Sequence, residues 1–124
     1  MKGTTGDDVV AGLAGDDVIR GWGGNDLICG GDGNDELLDQ TGDDKLNGDA
    51  GKDVVKGGVG ASSFLVGGAG HDDLVGTDAS NVVASFATAP KAVTVDLGAE
   101  NAKGWGSDSL SEIDEVIGSS STTR

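Results

Sequence analysis

The chain has 124 residues, enough for one domain or a piece of a larger protein, with 24 glycines, 22 acidic against 8 basic residues, a net charge of −14 and 3% aromatic residues. That balance argues against an ordinary apolar core, and so acidic a surface excludes nucleic acid and acidic membranes as partners while suiting divalent cations. Cys29 is the single cysteine, so neither an internal disulfide nor a zinc thiolate cluster is available. No apolar run approaches transmembrane length, so no membrane insertion is expected. Met1 and Lys2 pass straight into the first repeat, and no N-terminal signal peptide is expected.

Glycine-rich acidic chains without order stay disordered, because they bury too little apolar area to offset chain entropy. This one is periodic. From Gly3 it reads GTTGDDVVA, GLAGDDVIR, GWGGNDLIC, GGDGNDELL, DQTGDDKLN and GDAGKDVVK without a gap. A seventh unit at 57–65 keeps Gly57, Gly60 and Phe64 but has Ser62 at the sixth place, and Val66 follows as an extra residue. GGAGHDDLV at 67–75 restores the pattern with Asp72, and a decayed ninth unit at 76–84 has Ala79 for glycine and Asn81 for aspartate. The eighth place is apolar in every unit: Val10, Ile19, Ile28, Leu37, Leu46, Val55, Phe64, Leu74 and Val83. The residues beside it are mixed, so each unit ends in a short strand with its middle residue inward.

Glycine at the first, second and fourth places permits positive φ and close backbone packing. Asp7, Asp16, Asn25, Asn34 and Asp43, at the fifth place, are expected to tolerate left-handed geometry. A turn plus a short strand is half a coil, so two units complete a circuit. Stacked coils then give an all-β solenoid of two parallel sheets around a thin core, roughly 20 Å long at about 4.8 Å per strand.

Residues 3–84 form this repeat region, and 85–124 a C-terminal extension containing strands. In the extension, 85–90 is a connector and Ala92 to Leu97 reads as a strand with Val93, Val95 and Leu97 on one face. KGWGSDSLS at 103–111 is a tenth unit lacking its first glycine. EIDEVIG at 112–118 continues the stack as a strand or makes one turn of helix, and the Ser/Thr tail frays.

Calcium takes six to eight oxygens, mixing carboxylates and backbone carbonyls. The turns offer both. Units two apart lie on the same side, so their sixth-place aspartates stand one strand spacing apart, and such carboxylates repel unless a cation lies between them. The expected pairs are Asp8/Asp26, Asp17/Asp35, Asp26/Asp44 and Asp35/Asp53, with Asp53/Asp72 dependent on the register across Val66 and Asp44/Ser62 short of one charge. Asp39, where a glycine is expected, either strains its turn or adds a ligand. No stretch fits the EF-hand spacing.

GGDGNDELL at 30–38 and its neighbours resemble the RTX, or hemolysin-type, calcium-binding repeat family. The resemblance covers 3–84; VTVDL and SEIDEVIGS resemble the segments between repeat blocks in long secreted members. It implies a right-handed parallel β-roll that binds Ca²⁺ and folds on it after type I export to the extracellular space. It also implies sixth-place ligands Asp8, Asp17, Asp26, Asp35, Asp44, Asp53 and Asp72. Carbonyls of the turn complete the set: Gly3, Thr5, Gly12, Ala14, Gly21, Gly23, Gly30 and Asp32. About four to six ions are expected on a monomer, with calcium and adjacent domains of a parent protein as partners. No catalytic constellation is read: His71 is a turn residue, no G-x-S-x-G occurs, and Asp53 after Lys52 defeats a phosphate loop. The competing reading is a carbohydrate-binding or adhesive module using Trp22 and Trp105, with calcium only structural.

Overall fold

The computed structural model describes residues 2–76, 79–86, 94–96, 101–103 and 107–117. The strands along the first part are β1 (Val9–Ala11), β2 (Val18–Trp22), β3 (Leu27–Cys29), β4 (Glu36–Gln40), β5 (Asp44–Asn47), β6 (Val54–Lys56), β7 (Gly60–Val66) and β8 (Asp73–Val75). β9 (Ala79–Ser85), β10 (Thr94–Asp96), β11 (Asn101–Lys103), β12 (Ser107–Ser111) and β13 (Glu115–Ile117) follow, and no helix occurs among the described residues. Odd and even units part into two sheets. One runs β1-β3-β5-β7-β9-β13 and the other β10-β11-β12-β8-β6-β4-β2. Every pairing is parallel except β10 with β11 and β11 with β12. The molecule is therefore an all-β parallel solenoid, a β-roll, whose seven-stranded sheet ends in an antiparallel ribbon.

The core is built on one line of residues from each sheet, joined by Val82 and by Phe86; Ser85 ends β9, and Phe86 is buried where a connector was expected. Ile28, Leu46, Leu65 and Ala84 stack in the first, and Ile19, Leu37, Val55, Leu74 and Leu110 in the second. All nine are essentially inaccessible. Val10 and Val116 close the first line as partly buried ends. Leu65, not Phe64, points inward in the seventh unit, and Ala84, not Val83, in the ninth, while Val82 is also buried. Phe64 instead pairs with Lys45 on the outer face, its ring 5.9 Å from Lys45 Nζ. The extra residue thus falls at the start of β7, at Gly60 and Ala61, rather than at Val66. Gly57 still donates to Val75 O and Val59 to Gln40 O, as first- and third-place residues do elsewhere. The sixth place accordingly belongs to Ser63, not Ser62, and to Val82, not Asn81.

The C-terminal segment settles as strand. β13 lies in register on β9, with Val116 beside Ala84, so the helical alternative for 112–118 does not hold over Glu115–Ile117. β12 carries Leu110 onto Leu74, as the tenth unit requires. Of the strand expected at 92–97, Thr94–Asp96 is β10; Val93 and Leu97, like the 87–90 part of the connector and the tail, lie outside the described residues.

Left-handed backbone falls at the second and fourth places, not the fifth. Gly15, Gly24, Gly33, Gly42, Gly51 and Gly70 have positive φ, as do Leu13, Trp22, Gln40 and Asp49 at the second place. At Gly42 a Cβ would stand 1.7 Å from Gly24 O, so stacking itself requires glycine there. The fifth-place residues do something else: their side chains accept backbone N–H groups of the next coil. Asn25 N–H donates to Asp7 Oδ1, Asp43 N–H to Asn25 Oδ1, and Ser62 N–H to Asp43 Oδ1. The same bonds join Asp16, Asn34 and Lys52 on the other side. Short side chains with a carbonyl-type oxygen suit this role.

Candidate metal sites

Each sixth-place aspartate stands at the junction of turn and strand, and coils repeat every 18 residues over most of the array. Carboxylates therefore stack in two columns. In the even column, Asp17 N–H donates to Asp35 Oδ1, Asp35 N–H to Asp53 Oδ1, Asp53 N–H to Asp72 Oδ1 and Asp72 N–H to Asp108 Oδ1. In the odd column, Asp8 N–H donates to Asp26 Oδ1 and Asp26 N–H to Asp44 Oδ1. The Asp53/Asp72 pair keeps its register across the extra residue, at 2.9 Å. Asp44 then meets Ser63, and Ser63 meets Val82, so the odd column loses its carboxylates for two coils.

The second oxygen of each carboxylate carries the chemistry. Oδ2 of Asp17, Asp26, Asp35, Asp44, Asp53 and Asp72 is buried and accepts no hydrogen bond. Asp8, on the first coil, differs: its Oδ2 takes the Thr4 N–H at 2.5 Å and the Thr4 hydroxyl at 3.0 Å. Backbone carbonyls converge on the same oxygens. A Cβ on Gly12 would lie 2.5 Å from Gly30 O and 2.6 Å from Asp17 Oδ2. The Gly21 position stands likewise 2.6 Å from Asp26 Oδ2 and 2.8 Å from Asp39 O, and Gly3 2.6 Å from Asp8 Oδ2 and 2.7 Å from Gly21 O. Gly30, Gly48 and Gly67 lie against the carboxylates of Asp35, Asp53 and Asp72, each with the Oδ2 nearest. First-place glycine thus keeps open a cradle between a carboxylate oxygen and a carbonyl of the next coil. A carbonyl and an ionised carboxylate have no proton to offer. A buried cluster of acceptors without a donor is costly, and a hard cation that prefers oxygen satisfies it.

The third-place residues Thr5, Ala14, Gly23 and Asp32 lie further along the turn. Ala14 bridges Asp32 and Asp32 bridges Ala50 in a backbone ladder, and Asp32 O accepts the Gly15 N–H. The Thr5 backbone packs against Gly23.

Burial raises the carboxylates' pKa values. Asp44, Asp53, Asp72 and Asp108 are pushed up to about 7, chiefly by desolvation, with the backbone N–H each accepts opposing it; neighbouring carboxylates raise all but Asp108 further. Asp26 and Asp35 are raised for the same reasons. Metal-free, these groups resist ionisation; a divalent ion reverses that preference.

Two residues extend the sequence-derived set. Asp108 continues the even column, and the SDSLS of the tenth unit is the signal that marks it. Asp39 is 1% exposed, with Oδ1 lacking any hydrogen-bond partner and Oδ2 accepting the Ser63 hydroxyl. Trp22 is 44% exposed at its turn; Trp105 lies outside the described residues.

The family model of the RTX calcium-binding nonapeptide repeat matches the chain in four copies, over residues 2–37, 30–64 and 61–83. The chain belongs to this family. No curated protein matches it. RTX repeats bind calcium, and the donor-free oxygen cradles have the hard, oxygen-only chemistry which that ion requires. In the cradles at Gly3, Gly12 and Gly21 the carboxylate comes from one coil and the carbonyl from the next, so these oxygen clusters exist only when coils stack.

Proposed function

We propose that this RTX module is a calcium-gated folding unit of a secreted, extracellular protein. The six buried Oδ2 acceptors that meet no donor carry the reading. Asp17, Asp35, Asp53 and Asp72 hold ions along the even column, with Asp8, Asp26 and Asp44 along the odd one. Carbonyls of first-place residues such as Gly21 and Gly30 complete the shells. About four to six ions bind, residues 3–84 are the roll, and 85–124 extend and cap it.

Without calcium, the net charge of −14 and the buried carboxylates oppose compaction. An ion bound only by the folded state, at about 100 times its dissociation constant, contributes about 2.7 kcal/mol. Four such ions match the stability of a typical domain, about 5–15 kcal/mol. Extracellular modules bind calcium at about 10⁻⁴–10⁻³ M, so the chain stays open where calcium is scarce and folds after export. This suits a type I secretion substrate whose adjacent domains fold beside the roll.

The test is far-UV circular dichroism of the whole chain during a calcium titration, with magnesium as control. A cooperative gain of β signal with calcium alone is expected, because magnesium needs near-octahedral geometry and retains its waters. Native-like β structure in the calcium-free chain at neutral pH sinks the proposal.

A further inference from the structure

We propose that Asp39 and Asp44 together form an additional calcium site, distinct in its donors from the repeat's own, where Ser63 interrupts the odd column. The inference rests on the calcium-binding reading above.

Units one to four and six to eight begin with glycine; the fifth begins with Asp39. In other units the first-place glycine lies against its own unit's Asp Oδ2, as Gly48 does against Asp53 and Gly67 against Asp72. In the fifth unit the Asp39 Cβ fills that place, and its carboxylate lies beyond it, against Ser63 Oγ and Gly58 and near enough to Asp44 for the two charges to oppose each other. Both residues are buried, at 1% and 3% exposure, and Asp39 Oδ1 and Asp44 Oδ2 each accept no hydrogen bond. The Asp39 side chain reaches toward the seventh unit, where its Oδ2 takes the Ser63 hydroxyl at 2.5 Å. Ser63 Oγ stands 3.0 Å from the Cβ position of Gly57, in the place a sixth-position carboxylate occupies elsewhere. The Cβ position of Gly58 is 2.2 Å from Asp39 Oδ1, so glycine there leaves room for that carboxylate; its approach to Gln40 O is the stacking contact that Gly31 and Gly68 make with Leu13 O and Asp49 O.

Asp39 therefore restores, from the first place of one unit, the negative charge missing from the sixth place of another. The competing account is a neutral Asp39 whose Oδ1 proton is donated to Gln40 O. Asparagine separates the two. With its oxygen toward Ser63 it mimics the neutral acid, so Asp39→Asn is silent if the acid is neutral but removes the negative charge and sets an NH₂ group where Oδ1 would bind the ion if it is ionised.

The experiment counts calcium per chain by equilibrium dialysis and elemental analysis in wild type and D39N, and locates ions by anomalous scattering in calcium-loaded wild-type crystals. Expected are one ion fewer in D39N and a wild-type peak within coordination distance of Asp39 Oδ1. An unchanged count in D39N, or no such peak, overturns the inference. The wild-type crystal decides even if D39N does not fold. Ions at Asp17 and Asp35 without one at Asp39 leave the calcium-gated reading standing; no ion anywhere removes both.

Discussion

Gly12 and Gly15 serve different purposes, and alanine at each separates metal binding from backbone conformation. A Cβ at Gly12 intrudes on Asp17 Oδ2 and Gly30 O, whereas at Gly15, with φ +104, nothing lies within 4 Å. Gly12→Ala should cost the chain one ion and raise the calcium midpoint of folding. Gly15→Ala should leave the ion count alone and cost about 1 kcal/mol of backbone strain, read from thermal melts in saturating calcium. Position within a column matters as well. Asp26 fills its own cradle and accepts the Asp8 N–H, while Asp8 Oδ2 is already hydrogen-bonded by Thr4. Asp26→Ala should therefore raise the calcium midpoint more than Asp8→Ala, its ion being worth about 2.7 kcal/mol at hundredfold excess. Equal shifts in the two titrations would show that the columns are not where the ions bind.

At the scale of the coil, the regular units were legible because a nine-residue period fixes which residue faces inward once one is known. The irregular ones were not. Ser62 and Ser63 are chemically identical, and Phe64, Leu65 and Val66 are all apolar, so the pattern permits the extra residue on either side of the strand. Contacts between coils decide it: Ser62 N–H reaches Asp43, Ser63 reaches Asp39, and Leu65 lies on Leu46. Val82 and Val83 present the same ambiguity. The columns of aspartates were legible from spacing alone, but the fifth-place ladder was not, because Asn and Asp suit left-handed turns as well as side-chain acceptance. The register has a direct check. Leu65→Ala should cost about 2–5 kcal/mol in saturating calcium, as core truncations do, and Phe64→Ala markedly less. The reverse order in thermal melts would restore Phe64 to the core.

For the molecule as a whole, the carboxylates couple folding to pH in opposite senses with and without calcium. In the ion-free fold Asp44, Asp53, Asp72 and Asp108 are raised to about 7 and Asp39 to about 6. Unfolded aspartate titrates near 3.9, so between about pH 4 and 7 the fold binds more protons than the open chain. Its stability is then greatest at the acid end and falls as pH rises through about 7. Calcium-free chain should gain β signal when taken from pH 7.5 to 5 and lose it on return. With calcium the trend inverts, because protons compete for the same oxygens and the calcium midpoint rises as pH falls. A calcium-free dichroism spectrum identical at both pH values would rule out desolvation as the force that keeps the chain open.

The unequal columns also make the roll a pair of one-dimensional lattices of different length. Dications held on adjacent coils of the even column would be about 4.8 Å apart, the strand spacing, close enough to repel through a poorly screened interior. Alternate coils of the run from Asp17 to Asp108 should then load first and their neighbours at higher concentration. The odd run ends at Asp44, which leaves it room for fewer such conflicts. Calcium uptake by this solenoid is thereby a contest between a scaffold that rewards simultaneous filling and a row of like charges that spaces it out, with the steepness of the binding curve as its measure.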